Sequence, residues 1–386
     1  MNPNAEHPPH TLADLETPVA LLDLPQMERN IRHMQTAADA LGVRLRPHVK
    51  TAKCVPVAVR QREAGGHGIT VSTLKEADAF FEAGFDDILY AVGVVPNKLA
   101  HALALRQRGC RLQLIVDSLA AVQALVQAGR AAEHAFEVLI EVDVDGQRAG
   151  VPPDAELLLE MGRALLAGGQ RLLGVMTHGG GSYGMRGAAA LQAFAEQERS
   201  RCVQAAERLR AAGLPCEVVS VGSTPSALSA RSAAGVTEIR AGVYVFHDLV
   251  MAGLGVCRPE DIALSVLCTV IGHQAHKGWV LVDAGWMALS RDRGTQGQPL
   301  DQGYGLVCRE DGQPLMNWTV SAANQEHGII TARDGQMPPD LAERFPLGSR
   351  LRILPNHACA TAAQFSEYLV LGPEGPQARW PRFGGW

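Results

Sequence analysis

The sequence predicts an α/β protein: a (β/α)8 TIM barrel followed by a C-terminal, mostly antiparallel β domain. Apolar, β-branched runs of strand length alternate with alanine- and leucine-rich helical stretches about eight times over about 200 residues. After about residue 250 the long helical stretches stop, and strands joined by short turns follow. The runner-up is an open, doubly wound sheet. It would need a glycine fingerprint at the first helix, and none follows the first strand.

The composition describes an ordinary globular chain. The 386 residues are 47% hydrophobic and 19% charged, with a net charge of -5, which suits one large domain and a smaller one. No apolar run reaches the roughly 18 residues of a membrane span, and the start of the chain lacks the apolar segment of a signal peptide. The 8 cysteines include no C-x-x-C pair. We therefore expect a cytoplasmic protein whose thiols are mostly inert.

Three segments are expected along the chain. Residues 1–14 form a flexible N-terminal tail, residues 15–250 the barrel, and residues 251–386 the β domain. A strand at 17–24 precedes the barrel and could instead join the β domain. The eight barrel strands are expected at 43–49, 68–73, 87–92, 112–118, 136–144, 172–179, 216–224 and 237–246. The β-domain strands are expected at 263–274, 278–286, 304–311 and 351–361.

The first barrel strand ends in a lysine that is a candidate for covalent catalysis. In the stretch RLRPHVKTAK, Arg46, His48 and Lys50 alternate with apolar residues, so on a strand they face one side. Such a face suits a barrel strand whose inner side ends in a polar site. A lysine at its carboxyl tip is a candidate for Schiff-base chemistry. Taken alone, a lysine at such a position is more often an ordinary surface residue.

Two loops predict a site for a phosphate group. The seventh barrel strand ends in VGSTPSAL, where Gly222, Ser223 and Thr224 form a small-residue turn before a helix. Backbone N–H groups, hydroxyls and a helix N-terminus make an anion site. The eighth strand ends in RAGVYVF, where Gly242 lets the backbone approach a ligand and Tyr244 supplies a hydroxyl. A lysine together with a phosphate grip is what pyridoxal 5′-phosphate needs.

Further residues predict how a reaction on that cofactor is assisted. Arg240 shares strand parity with Gly242 and could reach the pyridine nitrogen, where a permanent cation weakens the ring as an electron sink. The alternative is a barrel-lining arginine paired with a carboxylate. His357 and Cys359, in LRILPNHACAT, would point the same way on a strand. They suit zinc or a similar divalent ion, which would make a substrate hydroxyl a better leaving group.

The chain resembles the fold-type III pyridoxal-phosphate enzymes of the D-serine dehydratase and D-threonine aldolase group. The resemblance spans residues 15–386 and rests on six motifs: RPHVKTAK, GSTPS, RAGVYVF, DAGWMALSRDRGT, QEHGII and LPNHACAT. It implies an alanine-racemase-like barrel, with Lys50 as the Schiff-base lysine and His357 and Cys359 as metal ligands. The residues that it implies near the cofactor are Tyr183, Thr224, Gly242 and Val243.

Within this group the details favour dehydration. The H-x-C pattern resembles the dehydratases, whereas the aldolases tend to show H-x-D, and Arg240 stands where aldolases more often have glutamine. Met176 departs from the eukaryotic D-serine dehydratases, which have a tyrosine there. The resemblance implies a dehydratase of D-3-hydroxy amino acids that uses pyridoxal 5′-phosphate and a divalent ion, Zn, Mn, Co or Mg. Its expected products are ammonia with oxaloacetate from 3-hydroxyaspartate, or with pyruvate from D-serine.

Three other functions stay open. An aldolase would release glycine and an aldehyde, and a racemase would want a second base on the opposite face of the cofactor. A non-catalytic pyridoxal-binding barrel is disfavoured by the large second domain. Arg291 and Arg293 are candidates for a second substrate carboxylate, or they are surface residues. We expect a small-molecule substrate as the partner, neither nucleic acid nor membrane, and a homodimer as the assembly to be tested.

Overall fold

The computed structural model describes residues 11–386. Of the predicted flexible tail, residues 1–10 lie outside this range, whereas Leu12–Asp14 form a 3-10 turn. The strands are β1 Val19–Asp23, β2 Arg44–Leu45, β3 Ile69–Val71, β4 Asp87–Gly93, β5 Arg111–Val116, β6 Glu137–Glu141, β7 Arg171–Met176, β8 Val218–Val221, β9 Glu238–Ile239, β10 Leu264–Gln274, β11 Trp279–Val282, β12 Leu306–Arg309, β13 Pro314–Ala323, β14 Gly328–Ala332, β15 Arg350–Leu354, β16 Glu367–Gly372 and β17 Gly375–Pro381. The helices are α1 Leu24–Ala40, α2 Val55–Glu63, α3 Leu74–Glu82, α4 Pro96–Gln107, α5 Leu119–Ala131, α6 Glu156–Ala167, α7 Ala188–Ala211, α8 Thr224–Ser229, α9 Leu249–Gly253, α10 Trp286–Leu289, α11 Leu341–Arg344 and α12 Ala358–Ala362.

Contacts divide the chain into two compact units. The barrel unit is Arg32–Gly242 with Gly385–Trp386, and the β unit is the described chain up to Ile31 with Val243–Gly384. The second division falls at 242/243, before the expected 250/251, because the chain turns into the short 3-10 helix Val243–Val245. Among residues 11–386, no helix combines the length and apolar character that crossing a bilayer requires.

Eight parallel strands form the sheet of the barrel unit. They run in the order β2-β9-β8-β7-β6-β5-β4-β3, and a parallel bridge between His48 and Thr70 joins the two edge strands. The sheet therefore closes on itself, which confirms the predicted (β/α)8 barrel over the doubly wound alternative. Strands such as β6 are buried along their whole length, as expected for a parallel sheet covered by helices.

The first and last barrel strands are shorter than predicted. Of residues 43–49 only β2 is regular strand, because Pro47 has no N–H to donate. The parallel pairing nevertheless continues to His48, whose N–H donates to Ala241 O at 2.8 Å. Lys50 lies just beyond, in a turn that the Lys53 N–H closes onto Val49 O at 2.9 Å. The expected position of Lys50 at a strand tip is thus confirmed.

A buried ion network lies inside the barrel at its amino-terminal end. The Arg46 Nε lies 3.0 Å from Glu238 Oε2, and its Nη1 lies 2.8 Å from Asp87 Oδ1. Burial lowers the pKa of Arg46, but the two carboxylates outweigh it and raise the pKa. The Glu238 side chain is only 2% exposed, and removing one partner of a buried ion pair is strongly destabilising.

Replacing Arg46 by methionine is expected to lower the free energy of unfolding by about 3–5 kcal/mol, because Glu238 would stay buried without its main counter-charge. Urea-induced unfolding measures the loss. Arg44 provides the matched control, because its half-exposed guanidinium lies 3.9 Å from the same carboxylate. Arg44→Met should cost less than about 1 kcal/mol. Equal losses in the two variants would contradict the proposed dependence of Glu238 on Arg46.

The β unit is built on one nine-stranded sheet in the order β11-β14-β13-β12-β15-β10-β1-β16-β17. Neighbours pair antiparallel, except that β1 and β16 run parallel. The mostly antiparallel second domain is therefore confirmed, and the strand expected at 17–24 belongs to its sheet. Four strands were not predicted: β13, β14, β16 and β17. Its core includes Trp318 packed edge-on against Phe345, with ring centroids 4.7 Å apart.

Candidate functional site

In the barrel unit, the turn that carries Lys50 is fixed at its far end. Lys53 has a φ of 46°, a strained value for a residue other than glycine. Its Nζ lies 3.0 Å from Oε1 of the buried Glu76. The Lys50 side chain is exposed, whereas the turn beneath it is held by this ion pair. Glu76, in the first turn of α3, was not predicted from the sequence.

Two imidazoles near Lys50 are neutral at neutral pH. Burial lowers the pKa of His48 well below its usual value, and the charges of Lys50 and Arg240 lower it further. Burial, followed by Lys50, Arg148 and Arg240, lowers the pKa of His178 to about 3. The imidazoles therefore carry no charge, and the neighbouring cations Lys50 and Arg240 favour an anionic ligand. The buried Nδ1 of His48 has no hydrogen-bond partner among the described residues, so it can meet a ligand atom.

The loop after β8 has the predicted local structure. Ser223 caps α8, its hydroxyl accepts from the Ser226 N–H at 3.3 Å, and a proline stands in the first turn. Gly222 has a φ of 117°, and a Cβ there would lie 3.0 Å from Arg240 O. Only glycine fits this position without strain. At Gly242 a Cβ would meet the backbone O of His48 at 3.0 Å.

A buried carboxylate that sequence reasoning missed supports these loops. Glu198, in the middle of α7, accepts from the Gly179 N–H at 2.8 Å. Burial raises its pKa, although hydrogen bonds from the Ser226 hydroxyl and the Gly179 N–H lower it in part. The Ser182 and Ser223 hydroxyls lie 3.0 Å apart, so the loops after β7 and β8 contact each other directly. The polar sequence around Glu198 gave no signal that this residue faces inward.

Arg240 is anchored between strand ends. Its Nε donates to Ser220 Oγ at 3.0 Å, and its Nη2 donates to the carbonyl of Thr177. Burial lowers its pKa, and the negative charges of Glu238 and Glu198 offset part of the effect. The guanidinium stays protonated in any case. Its predicted reach to a pyridine nitrogen stays a prediction.

The remaining predicted cofactor residues lie in 3-10 helices or buried turns. Thr224 is buried at the start of α8. Tyr183 belongs to the 3-10 helix Gly180–Gly184 and is 38% exposed. Val243 and Tyr244 lie in Val243–Val245, and Tyr244 is fully buried. The prediction that the strand continues through these two residues was wrong, because the ladder ends and the chain turns. The roles of these residues stay predictions.

In the β unit, His357 and Cys359 lie after β15 rather than on it. His357 is the N-cap residue of α12, and Cys359 lies in the first turn of that helix. The predicted strand geometry was wrong because Pro355 ends the strand and the alanine-rich sequence that follows favours a helix. The two side chains still meet: a hydrogen bond between them contributes to the high pKa of His357.

Asp292 orients the imidazole of His357. The carboxylate Oδ2 lies 2.6 Å from Nδ1 of His357, so Nε2 is the nitrogen that could hold a metal ion. Burial lowers the pKa of His357, but the hydrogen bonds to Asp292 and Cys359 outweigh it and raise the pKa to about 11. The hydrogen bond from His357 lowers the pKa of Asp292. Sequence reasoning missed Asp292, although it stands inside one of the quoted motifs.

The donor set fits a divalent ion that keeps open positions. An imidazole backed by a carboxylate, beside a thiol, is a typical half of a catalytic metal site. Within residues 11–386 there is no cluster of three or more histidine, cysteine, aspartate or glutamate side chains arranged for a metal. Water and substrate would therefore complete the coordination. In the barrel unit, an anionic cofactor fits the cations Lys50 and Arg240, the small hydroxyl-bearing loops and the His48 Nδ1, which has no hydrogen-bond partner among the described residues.

Two protein families match successive parts of the chain. Residues 22–249 match the model of the alanine racemase N-terminal domain, and residues 263–371 match a putative serine dehydratase domain. The D-threo-3-hydroxyaspartate dehydratase of Delftia sp. (strain HT23) is 62% identical over 97% of this chain and 99% of the relative. The D-serine dehydratase of Dictyostelium discoideum is 31% identical over 93% of this chain and 94% of the relative. A D-threonine aldolase of Arthrobacter sp. is 32% identical over 93% of this chain and 90% of the relative.

The chain is also similar to solved structures of D-threo-3-hydroxyaspartate dehydratases. The Delftia dehydratase superposes with a TM-score of 0.97, covering 97% of this chain and 100% of that one. Two further structures of a D-threo-3-hydroxyaspartate dehydratase, also at 0.97 and 62% identity, are a cysteine-to-alanine mutant in the metal-free form and a histidine-to-alanine mutant. Their altered positions are two residues apart, as are the imidazole and thiol that meet here.

Proposed function

The chain belongs to the alanine-racemase-like enzymes that carry a serine dehydratase domain, and on that premise we propose that it is a dehydratase of D-3-hydroxy amino acids. The preferred substrate is threo-3-hydroxy-D-aspartate, with oxaloacetate and ammonia as products, and D-serine is a second substrate. One observation carries the proposal: the side chains of His357 and Cys359 are hydrogen-bonded to each other, and the carboxylate of Asp292 orients the His357 imidazole. A relative of 62% identity with this activity supports it.

Pyridoxal 5′-phosphate, when bound, withdraws electrons from the substrate Cα, and a divalent ion assists the departure of the hydroxyl as a Lewis acid. Lys50 anchors the cofactor through its amine. The same amine, once free, removes the α-proton. His357 and Cys359 hold the ion, and Asp292 keeps the Nδ1 proton on the imidazole. Loss of the α-proton and the hydroxide as water leaves an enamino acid, whose hydrolysis gives the 2-oxo acid and ammonia.

The barrel residues have supporting roles in this proposal. Ser223 and Thr224 offer hydroxyls to the phosphate, and Gly242 lets the backbone approach it. Tyr183 lies beside the cofactor. Arg240 faces the pyridine nitrogen and, as a permanent cation, leaves it unprotonated. The reaction then depends more on help to the leaving group, which is the help that a divalent ion would supply. The homodimer stays a prediction.

Turnover of a small substrate panel tests the proposed function. The panel contains D-serine, D-threonine and both D-3-hydroxyaspartates, and ammonia and aldehyde are measured in parallel with and without chelator. We expect ammonia and oxaloacetate from 3-hydroxyaspartate, with a loss of rate in chelator. Glycine and an aldehyde would instead identify an aldolase. Inversion at Cα without either product would identify a racemase.

Replacing Asp292 by asparagine should weaken metal binding about 10- to 100-fold, because the amide no longer fixes the imidazole by a charge-assisted hydrogen bond. Competition with a chromogenic chelator gives the Kd for Zn²⁺ and Mn²⁺ without relying on activity. Asp311→Asn is the control, since Asp311 lies in an exposed turn and accepts from the Gln313 N–H. An unchanged Kd in the Asp292 variant would remove this carboxylate from the metal site.

A further inference from the structure

We propose that Arg291 binds the second carboxylate of the substrate and so selects 3-hydroxyaspartate over D-serine. The inference rests on the proposed function, and it concerns residues of the β unit alone. By their sequence, Arg291 and Arg293 are equivalent candidates for this role. The structure separates them by their partners.

Arg293 is already committed to other groups. Its Nη2 lies 2.6 Å from Asp301 Oδ2, and its guanidinium carbon lies 5.4 Å from the centre of the Tyr304 ring. A carboxylate that bound here would have to displace Asp301. Arg293 is therefore a structural residue of this loop.

Arg291 has no carboxylate of the described chain within 4.0 Å. It is exposed, and its guanidinium carbon lies 5.0 Å from the centre of the Trp286 ring. Stacking on an aromatic face fixes the plane of a guanidinium and leaves its edge, with paired N–H donors, open to a ligand. This edge matches the two oxygens of a carboxylate.

The loop that carries Arg291 is built onto the metal-ligand segment. It begins at Ser290, whose φ of 70° is rare for a residue other than glycine, and the Ser290 Oγ accepts from the Asp292 N–H at 2.9 Å. The Asp292 carboxylate accepts a hydrogen bond from Nδ1 of His357. Further along, the Thr295 hydroxyl donates to the side chain of Asn356, the residue before His357. Strain of this kind persists only where the surroundings enforce it, and it often marks a functional loop.

The proposed substrate carries a second carboxylate that Arg291 can bind. In 3-hydroxyaspartate the hydroxyl and the second carboxylate are attached to the same carbon atom. The hydroxyl leaves from this carbon, Cβ. When the hydroxyl faces the proposed ligands His357 and Cys359, the carboxylate attached to the same Cβ is therefore close to them as well. Arg291 is the chain neighbour of the residue that orients His357. D-Serine has only hydrogen in place of this carboxylate and gains nothing from the cation.

The test compares two substrates across three variants. In Arg291→Ala, the ratio of kcat/KM for 3-hydroxyaspartate to that for D-serine should fall about 10- to 100-fold, as expected for a lost charge-assisted hydrogen bond. Arg291→Lys should recover part of the ratio, because the charge remains but the paired donors do not. Arg309→Ala, which removes an exposed arginine of β12, should leave the ratio as in the wild type.

A binding measurement makes the outcome independent of turnover. D-Aspartate carries both carboxylates without a hydroxyl, and D-alanine lacks the second one. Their Kd values follow from changes in the visible absorbance of the cofactor-loaded enzyme. Arg291→Ala should weaken D-aspartate about 10-fold or more relative to D-alanine. Unchanged ratios in both measurements would overturn the role of Arg291. Failure of the wild type to release oxaloacetate and ammonia would overturn the proposed function instead, and the D-aspartate result would still decide on Arg291.

Discussion

Replacing Lys50 by alanine is expected to lower ammonia release from 3-hydroxyaspartate by at least about 10⁴-fold. In the proposed mechanism, the substitution removes the amine that anchors the cofactor and, with it, the base that takes the α-proton. The loss therefore exceeds what either role alone would cause. The visible absorbance that comes from the cofactor joined to a lysine should vanish in the same variant. Ammonia release and the absorbance spectrum are measured on the same preparation.

Two comparisons sharpen this test. Lys98→Ala removes a lysine of α4 in the same unit and should keep both the spectrum and the turnover. A small primary amine added to the Lys50→Ala enzyme should restore part of the rate, because it can supply the missing base. Turnover in Lys50→Ala without added amine would show that another residue does this chemistry.

Replacing Cys359 by alanine is expected to lower turnover about 10²- to 10³-fold, because several kcal/mol of Lewis-acid assistance are lost with the ion. The remaining rate should no longer respond to chelator or to added Zn²⁺, Mn²⁺, Co²⁺ or Mg²⁺. His357→Ala should behave in the same way, since a single protein donor cannot hold the ion at a useful affinity. Metal content and turnover, each with and without chelator, provide the measurement.

Cys257→Ala is the matched control for the thiol. Cys257 is the other partly buried cysteine of the described chain, and its Sγ lies 3.9 Å from a backbone oxygen. This variant should keep both its metal and its sensitivity to chelator. If the wild-type enzyme kept its activity after full removal of the metal, the proposed role of His357 and Cys359 as catalytic metal ligands would be contradicted.

The barrel could be predicted because its strands are short, apolar and regularly spaced. Strands such as β5 are buried on both faces, so their sequences are nearly continuous hydrophobic runs. The start of α8 could also be predicted, because a serine cap at Ser223 followed by a proline is typical of a helix N-terminus. Such signals lie within a few residues of the feature they predict.

The rest of the site could not be predicted because it depends on distant contacts. Asp292 and His357 are 65 residues apart, and no local pattern brings them together. In the sequence, Glu198 resembles the other polar residues of a surface helix. Its inward orientation follows only from the packing of α7. The two arginines of the SRDRGT motif have similar sequences around them, and the ion pair with Asp301, eight residues further along the chain, distinguishes Arg293 from Arg291. The wrong strand at His357 has a local cause, since the i, i+2 spacing suits a strand and a helix start alike.

The parallel pairing of β1 with β16 sets the order in which the chain can assemble during synthesis. β1 aligns Val19 with Leu267 of β10 and Leu21 with Leu369 of β16. Both partners leave the ribosome only after the whole continuous stretch Arg32–Gly242 has emerged. The barrel can therefore close while β1 still has two unpaired edges. An apolar strand with unpaired edges is an aggregation hazard, so β1, the first strand to be made, stays exposed to this hazard longest.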